Sequence, residues 1–171
     1  MISIETVEQF HKALKKERTL TIVCAESITA GLLASTIASV SGASAILKGS
    51  IVTYDENVKV KILGVRRKIL KKYTAESQQT TTAMCYGIKR LYPNADIHVA
   101  VTGMASAIDP STDYKATASV GQIYVAIFYK KLHPFKHSFL PEDIIDKNNS
   151  RNEIRDKTVE YIFEQIEKLI A

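Results

Sequence analysis

The sequence predicts an α/β fold, a three-layer α/β/α sandwich around a mixed β-sheet. Short apolar runs that are typical of strands alternate with helical patterns in the order α-β-α-β-α-α-β-β-β-α. A helix separates the first two strands, and crossovers of this kind join parallel strands. The 171 residues fit one domain, 1–171, which is long enough to bury roughly two thirds of the surface that the unfolded chain exposes.

The first 40 residues predict two helices and a strand. Ser3 can cap a helix over 3–16, in which apolar residues recur at helical spacing at Ile4, Val7, Phe10 and Leu14. The run "TLTIVCA", residues 19–25, predicts a short buried strand. Small and apolar residues over 29–40 then predict a helix that packs closely on the sheet and ends at "SGAS".

The next two elements are a strand over 46–54, "ILKGSIVTY", and a short helix over 55–64. Asp55 is the expected N-cap of that helix and Gly64 its C-terminal stop. Acidic residues stand in its first turn and lysines follow, in agreement with the helix dipole. The short helix is therefore well marked by sequence alone.

The middle of the chain predicts a long helix and a third strand. Thr74 is the expected cap of a helix over 75–92, which closes before a proline. The stretch "ADIHVAVTG", residues 95–103, has the composition of a buried strand. It leads into an irregular loop over 104–119.

The last third of the chain predicts two further strands and a terminal helix. The strands are "VGQIYVAIFYK" and "KHSFLPE", joined by a tight connection around His133 and Pro134. The helix covers 149–170, and one of its faces is apolar. That face consists of Ile154, Val159, Ile162, Ile166 and Leu169.

Composition and charge narrow the function classes. No stretch approaches the roughly 18 apolar residues of a membrane span, and the N-terminus lacks a signal-peptide pattern, so we expect a cytoplasmic protein. Cys24 and Cys85 have no metal-binding or disulfide spacing and are expected to be reduced and buried. The net charge of +5 is dispersed, which suits an anionic small ligand and does not make nucleic acid the expected partner.

Several polar residues follow the ends of strands that should point the same way. Ser27 follows the first strand, Tyr54 and Lys59 follow the second, and Thr102 and Gly103 end the third, which joins this set if that strand is also parallel. The carboxyl ends of parallel strands meet at one edge of the sheet, where ligands of open α/β folds bind. We call this the carboxyl edge, and the sequence predicts the functional site there.

Ser27 is the candidate nucleophile at the carboxyl edge, and it needs a base. No histidine is expected there, since His11 and His137 are predicted to be exposed, His133 to lie in a turn and His98 to pack in a strand. Lys59 is the available base, provided that its pKa is lowered, and Tyr54 could relay the proton or hold the lysine. Structural roles remain the alternative for each: Ser27 as a helix cap, Lys59 as a surface lysine and Tyr54 as a strand-end aromatic.

Five stretches of the chain stand together in the order and spacing of a known family. They are "AESITAG", "SGASAILKGSIVTYDENVKVKILGV", "YTAESQQTTTAMCYGIKR", "ADIHVAVTG" and "VGQIYVAI". The sequence resembles the C-terminal domain of the CinA family (competence- and damage-inducible protein) from about residue 5 to the last helix. The resemblance implies an α/β/α sandwich. In the stand-alone form of the domain it implies a nicotinamide-mononucleotide amidohydrolase of pyridine nucleotide recycling.

The resemblance also implies roles for individual residues. Ser27 matches the nucleophile and Lys59 the base, with Tyr54 between them. A further set matches positions that contact or organise the nucleotide: Glu26, Thr29, Gly31, Ser44, Thr102, Gly103 and Arg151. The Arg151 guanidinium suits a phosphate. No metal or cofactor is required, and the family suggests a homodimer.

Two departures from the family pattern keep other functions open, and one predicted site residue, Ser44, is expected apart from the others. The family's corner of a threonine and two glycines is here Thr29-Ala30-Gly31, and the glycine- and proline-rich segment after the third strand is replaced by "GMASAIDPSTDYKATAS". Ser44 precedes the second strand, at the sheet end away from Ser27, unless the chain folds back or a homodimer shares the site. The alternatives are a hydrolase of another amide or nucleotide, and a non-catalytic ligand-binding or partner-binding module linked to competence or DNA damage.

Overall fold

Five strands form one mixed β-sheet in the computed structural model, which describes residues 1–171. The strands are β1 (Ile22–Glu26), β2 (Leu47–Val52), β3 (Ile97–Gly103), β4 (Gln122–Tyr129) and β5 (Lys131–Ser138). Their order across the sheet is β2-β1-β3-β4-β5. β1 pairs in parallel with β2 and β3, whereas β4 pairs antiparallel with β3 and β5. The predicted mixed sheet is confirmed.

Six α-helices cover the two faces of this sheet. They are α1 (Ile4–Leu14), α2 (Leu32–Ile37), α3 (Glu56–Leu63), α4 (Arg67–Tyr73), α5 (Gln78–Leu91) and α6 (Ser150–Ile170). α1, α2 and α6 contact one another on one face, and α3 and α4 pack on α5 on the other. The predicted three-layer α/β/α sandwich is therefore confirmed. No helix combines the length and the apolar composition that crossing a bilayer demands.

The caps that the sequence predicted for α1 and α3 are present. The Ser3 hydroxyl accepts the Thr6 N–H at 3.1 Å. The Asp55 carboxylate accepts the Asn57 N–H at 2.7 Å at the start of α3. Gly64 ends α3 with a φ of 66°, in the left-handed region that favours glycine. Local sequence thus sets the ends of the helix that carries Lys59.

Two helices differ from their predicted bounds, and one was not predicted. The helix expected over 29–40 is the shorter α2, because the segment between β1 and α2 forms turns rather than helix. Thr74 does not cap α5: it lies at the end of the unpredicted α4, with a φ of 67°. Ser77 is the N-cap of α5 instead, and its hydroxyl accepts the Thr80 N–H.

The turn between the last two strands also differs from the prediction. β4 and β5 are joined at Lys130, which has a φ of 61°. His133 and Pro134, expected in the connection, lie within β5. β5 is the last strand of the sheet, and an edge strand tolerates proline because one of its sides lacks a hydrogen-bonded neighbour.

Two of the four histidines are less exposed than predicted. His11 is only 4% exposed, and its Nε2 hydrogen-bonds the Ile37 carbonyl oxygen at 2.9 Å, which ties α1 to α2. The His137 ring is half-buried and stacks on Tyr161 at 4.6 Å between ring centres. His98 is buried in β3, as predicted. Both cysteines are buried and free, also as predicted.

Gly87 lies at a close contact between α5 and α3 and provides a test of the packing. A Cβ at Gly87 would lie 2.2 Å from the Leu63 carbonyl oxygen. We expect Gly87→Ala to lower the free energy of unfolding by about 1–3 kcal/mol, although alanine is the better helix former by about 1 kcal/mol. Urea denaturation followed by circular dichroism measures the change.

Gln79→Ala is the matched control for this substitution, because Gln79 is exposed on the same helix. Its unfolding midpoint should stay near that of the wild type. If Gly87→Ala is as stable as this control, α3 and α5 do not pack as closely as described.

Candidate active site

Ser27 lies at the carboxyl edge of the sheet, directly after β1. Its N–H donates to the Val101 carbonyl oxygen at 3.1 Å, so the backbone of the serine is held against β3. The side chain is half-buried at a cleft of about 110 Å³. The cleft is lined by Ser27, Ile28, Tyr54, Glu76, Gly103, Met104, Ala105, Ser106 and Arg151.

Lys59 reaches Ser27 from α3. The Lys59 Nζ lies 3.0 Å from the Ser27 Oγ, and the lysine is fully buried. Long side chains in helices point back toward the helix N-terminus, which explains how Nζ also reaches two carbonyl oxygens that precede α3. These are the carbonyl oxygens of Thr53, at 2.5 Å, and Tyr54, at 3.1 Å. The predicted pairing of Ser27 with Lys59 is present in the structure.

Burial of Lys59 shifts its protonation equilibrium toward the neutral form. Burial lowers its pKa from the ordinary value of a lysine to about 8. The nearby carboxylates oppose this change, Glu76 most strongly, followed by Glu56 and Asp55. In the neutral amine, two N–H groups can serve the two carbonyl oxygens, and the lone pair is then left for the Ser27 hydroxyl proton. A substantial neutral fraction near pH 8 makes this lysine a competent base.

The buried carboxylate of Glu26 holds the corner that contains Ser27. Glu26 is fully buried, and five groups donate hydrogen bonds to its two oxygens at 2.7 to 3.1 Å. The donors are the Thr29 and Ser50 hydroxyls and the N–H groups of Gly31, Leu33 and Ala34. The Glu26 carboxylate therefore caps the N-terminus of α2, whose first N–H groups donate to it.

This arrangement corrects several predictions for the corner. Ser27 is not the cap of α2, since Gly31 occupies the N-cap position with a φ of 93° and its N–H donates to Glu26. Thr29 is buried and its hydroxyl donates to the same carboxylate. Glu26, Thr29 and Gly31 do not line the cleft. They shape the corner and do not face a ligand.

Two backbone amides of the corner are free. The N–H groups of Ile28 and Thr29 donate to no acceptor in the protein. Ile28 lines the cleft, and it is the residue that follows Ser27. In nucleophile corners of α/β enzymes, the N–H that follows the nucleophile stabilises the oxyanion. The corner thus offers a donor where an oxyanion would form.

Ala30 lies outside the cleft. Its φ of 48° is in the left-handed region, where an alanine costs roughly 1–2 kcal/mol relative to glycine. The residue is exposed, and its methyl group does not border the cleft. The sequence suggested that this methyl group could obstruct a ligand. In the structure, the methyl group instead destabilises the left-handed backbone conformation of Ala30.

Arg151 and Tyr54 meet across the cleft. The Arg151 Nη2 donates to the Tyr54 hydroxyl, and Nη1 donates to the Ser106 Oγ at 2.7 Å. Lys59 contacts the backbone carbonyl of Tyr54 rather than its hydroxyl. Tyr54 therefore holds the lysine through its main chain, and its side chain is positioned by the arginine and is not placed between Ser27 and Lys59.

Two predicted ligand-contact residues lie elsewhere. Thr102 is buried, and its Oγ1 shares a hydrogen bond with the Thr81 Oγ1 at 2.8 Å on the α5 face of the sheet. Alternation along β3 turns this side chain away from the cleft, whereas Gly103 does line it. Ser44 is exposed in a short 3₁₀ helix (Ala43–Ala45) before β2, and the first residue of β2 pairs with the first residue of β1. Within one chain, Ser44 is therefore at the opposite edge from Ser27.

The comparisons with known proteins agree with this architecture. The family model described as the CinA C-terminal domain matches residues 4–170. The chain belongs to the CinA family. A CinA-like protein of Thermotoga neapolitana is 34% identical over 164 residues, which cover 96% of this chain and 37% of that protein. A CinA-like protein of Thermotoga maritima is 31% identical over 169 residues, covering 99% of this chain and 38% of that protein. The chain thus spans less than two fifths of these relatives.

Solved structures match the CinA domain over nearly its whole length. The competence or damage-inducible protein of Enterobacter asburiae has a TM-score of 0.82 at 21% identity, with 98% of this chain and 97% of that chain covered. The competence/damage inducible protein CihA of Agrobacterium tumefaciens has a TM-score of 0.75 at 28% identity, with 97% and 96% covered. The first likeness shows the fold alone, and both agree with the three-layer sandwich.

Two polar residues that line the cleft of this CinA domain, and one polar neighbour of the cleft, were missed from sequence. Glu76 and Ser106 line the cleft, and Tyr114 contacts Glu76 through a hydrogen bond of 2.5 Å. The position of Glu76 depends on α4, which carries no clear sequence signal. Ser106 and Tyr114 lie in the loop over 104–119, where no periodicity exists to place a side chain. The stretch "YTAES", which contains Glu76, was part of the family resemblance but carried no role.

A larger groove of about 490 Å³ lies on the α3, α4 and α5 face of the CinA domain. Its lining includes Arg66, Tyr86 and Arg90, but neither a carboxylate nor a lysine. Volume alone would place this groove ahead of the cleft at Ser27. The smaller cleft is the better candidate active site, because only there does a nucleophile contact a buried base.

The role of Glu26 in the corner can be tested by Glu26→Gln. The amide keeps the shape of the side chain, but its NH₂ group cannot accept hydrogen bonds, so some of the five donors lose their partner. We expect the free energy of unfolding to fall by about 2–4 kcal/mol. Denaturant titration measures this loss.

Glu160→Gln is the control, because Glu160 is exposed on α6 and its carboxylate makes no hydrogen bond. Its stability should match the wild type within about 0.5 kcal/mol. Equal stability of Glu26→Gln and Glu160→Gln would contradict the structural role of the Glu26 carboxylate.

Proposed function

We propose that this CinA-family protein is an amidohydrolase. It removes the amide nitrogen of nicotinamide mononucleotide, giving nicotinate mononucleotide and ammonia. The observation that carries the proposal is the 3.0 Å contact between the Ser27 Oγ and the Nζ of a fully buried lysine. A serine hydroxyl becomes a nucleophile when such a base takes its proton. The family resemblance supplies the substrate.

The first half of the reaction forms an acyl-enzyme. The Ser27 Oγ attacks the amide carbon, and its proton passes to the neutral Lys59 Nζ. The amide oxygen becomes an oxyanion, for which the free N–H groups of Ile28 and Thr29 are available donors. Lys59 then gives the proton to the amide nitrogen. The carbon–nitrogen bond breaks and ammonia leaves. The acyl group stays bound to the Ser27 Oγ as an ester.

The second half hydrolyses this ester. Lys59, neutral again after ammonia departs, takes a proton from water, and the hydroxide attacks the ester carbon. The carbon–Oγ bond breaks, and Lys59 returns the proton to Ser27. The product carries a carboxylate in place of the amide. Each step uses the same two side chains, and the two backbone carbonyls that hold Lys59 keep its nitrogen directed at Ser27.

The size and charge of the cleft suit part of a nucleotide. Its volume of about 110 Å³ is below the several hundred Å³ of usual small-molecule pockets, so the amide-bearing ring is the part that enters. The exposed Arg151 at the cleft offers a charged fork for the phosphate. An anion that binds this guanidinium replaces its hydrogen bond to Ser106 or Tyr54. The N–H groups of Ala105 and Ser106 also donate to no acceptor in the protein.

A different amide or nucleotide substrate is the second candidate function. The observation that favours it is the loop over 104–119, which lines one side of the cleft with Met104, Ala105 and Ser106. This loop replaces the glycine- and proline-rich segment of the family pattern. A changed loop alters which ligand fits while the serine and lysine stay in place.

The proposed mechanism predicts that both Ser27→Ala and Lys59→Met abolish turnover. Ammonia release from nicotinamide mononucleotide should fall by on the order of 10²–10⁴-fold in each variant. Lys59→Met keeps an unbranched side chain in the buried position, so loss of packing is limited. A coupled ammonia assay with purified protein measures the rate.

Lys61→Ala is the matched control, since Lys61 is an exposed lysine on the same helix. Its rate should equal that of the wild type. Wild-type turnover that survives either active-site substitution would refute the mechanism. Nucleotide binding without turnover would favour the non-catalytic alternative, and turnover of other pyridine nucleotides or amides only would favour the second candidate.

The lowered pKa of Lys59 predicts the pH dependence of the reaction. Lys59 accepts a proton only when neutral, and its pKa is about 8. The value of kcat/KM should therefore rise about tenfold per pH unit below pH 8 and level off above it. Initial rates measured across this range test the expectation, and a profile independent of pH around neutrality would show that Lys59 is not the base.

A further inference from the structure

Glu76 is the only carboxylate that lines the cleft. It lies between α4 and α5, three residues after the end of α4 and two before the start of α5, and its side chain is partly buried. The Glu76 Oε2 accepts a hydrogen bond from the Tyr114 hydroxyl, and the two oxygens are 2.5 Å apart. The other oxygen, Oε1, accepts no hydrogen bond from the protein. One half of this carboxylate is thus held in place, and the other half is available to a ligand.

No cation of the protein pairs with Glu76. The salt bridges of the chain involve Asp156, Asp96 and Glu164, and the Arg151 guanidinium is directed to Tyr54 and Ser106. Lys59 contacts Ser27 and two carbonyl oxygens rather than Glu76. A partly dehydrated carboxylate without a counter-charge is stabilised by a positive charge brought by a ligand.

We propose that Glu76 recognises a positive charge on the substrate. The cleft then selects a carboxamide on a cationic ring over the same carboxamide on a neutral ring. Glu76 and Ser27 line one small cleft, so a ring seated there would have its charge near the carboxylate while its amide lies near the nucleophile. The identity of the reacting group rests on the proposed function, whereas the selection by charge rests on Glu76.

Binding of a cation at Glu76 would also change the pKa of Lys59, the proposed base. Of the charges near Lys59, the Glu76 carboxylate most strongly opposes the effect of burial, and Glu56 in α3 and its N-cap Asp55 act in the same direction. A cation against Glu76 offsets its negative charge. Binding of a cationic substrate therefore lowers the pKa of Lys59 further and increases the neutral fraction at the moment when the base is needed. Neutral ligands lack this effect.

The test compares two ligands that differ in ring charge. Nicotinamide mononucleotide has a cationic ring, and its 1,4-dihydro form has a neutral ring with the same carboxamide and phosphate. Calorimetry on Ser27→Ala, which cannot turn the ligand over, should show the oxidised form binding about tenfold more tightly, as one partly solvated charge pair predicts. Ser27→Ala/Glu76→Gln should bind the two forms with similar affinity. The amide oxygen introduced by Glu76→Gln can still accept the Tyr114 hydroxyl proton, so the cleft keeps its shape.

Ser27→Ala/Glu56→Gln is the matched control. Glu56 is another carboxylate that acts on Lys59, but it does not line the cleft, so the preference for the cationic ring should persist. Equal affinity of Ser27→Ala for both forms, or an unchanged preference after Glu76→Gln, would overturn the proposal. A folding check by circular dichroism on each variant separates loss of recognition from loss of structure.

The outcomes separate this proposal from the proposed function. If wild-type protein releases no ammonia while Ser27→Ala prefers the cationic ring, the amidohydrolase function is wrong and recognition by Glu76 stands. Turnover by the wild type without any preference for ring charge gives the opposite conclusion. In an active enzyme, Glu76→Gln should also shift the rising limb of kcat/KM to lower pH, a change that a purely structural residue would not cause.

Discussion

The buried carboxylate of Glu26 is the interaction on which the rest of the candidate site depends. Glu26 is the last residue of β1. Its carboxylate accepts hydrogen bonds from the corner, from α2 and, through the Ser50 hydroxyl, from β2. A charge without solvent contact is tolerable only when its hydrogen-bonding capacity is met, so the corner has one stable arrangement. That arrangement fixes the backbone of Ser27 and leaves two amides of the corner free.

The second constraint is the burial of Lys59. The three hydrogen-bond partners of the Lys59 Nζ lie on two segments of the chain, one partner after β1 and two after β2. Desolvation lowers the pKa of the lysine, and the surrounding carboxylates limit how far it falls. The balance leaves the pKa of Lys59 at about 8. Glu76 has two roles in this arrangement, because it is the carboxylate that most strongly opposes the effect of burial on Lys59 and it also lines the cleft.

α6 closes the site from the other layer. Arg151 and Arg155 are one helical turn apart, and the Arg155 Nη2 donates to the Thr29 carbonyl oxygen at 2.8 Å. With Arg151 on Tyr54 and Ser106, the two arginines contact the segments that follow β1, β2 and β3. The first turns of the C-terminal helix thus hold together the three loops from which the cleft is built.

The sequence by itself determined the sandwich, the parallel start of the sheet, the caps of α1 and α3, and the proximity of Ser27 and Lys59. These follow from local periodicity, capping chemistry and the rule that parallel strands end at one edge. Only the tertiary structure decided the turn-rich corner, α4 and the presence of Glu76 in the cleft. Each depends on contacts between segments far apart in the chain, for which no local pattern exists.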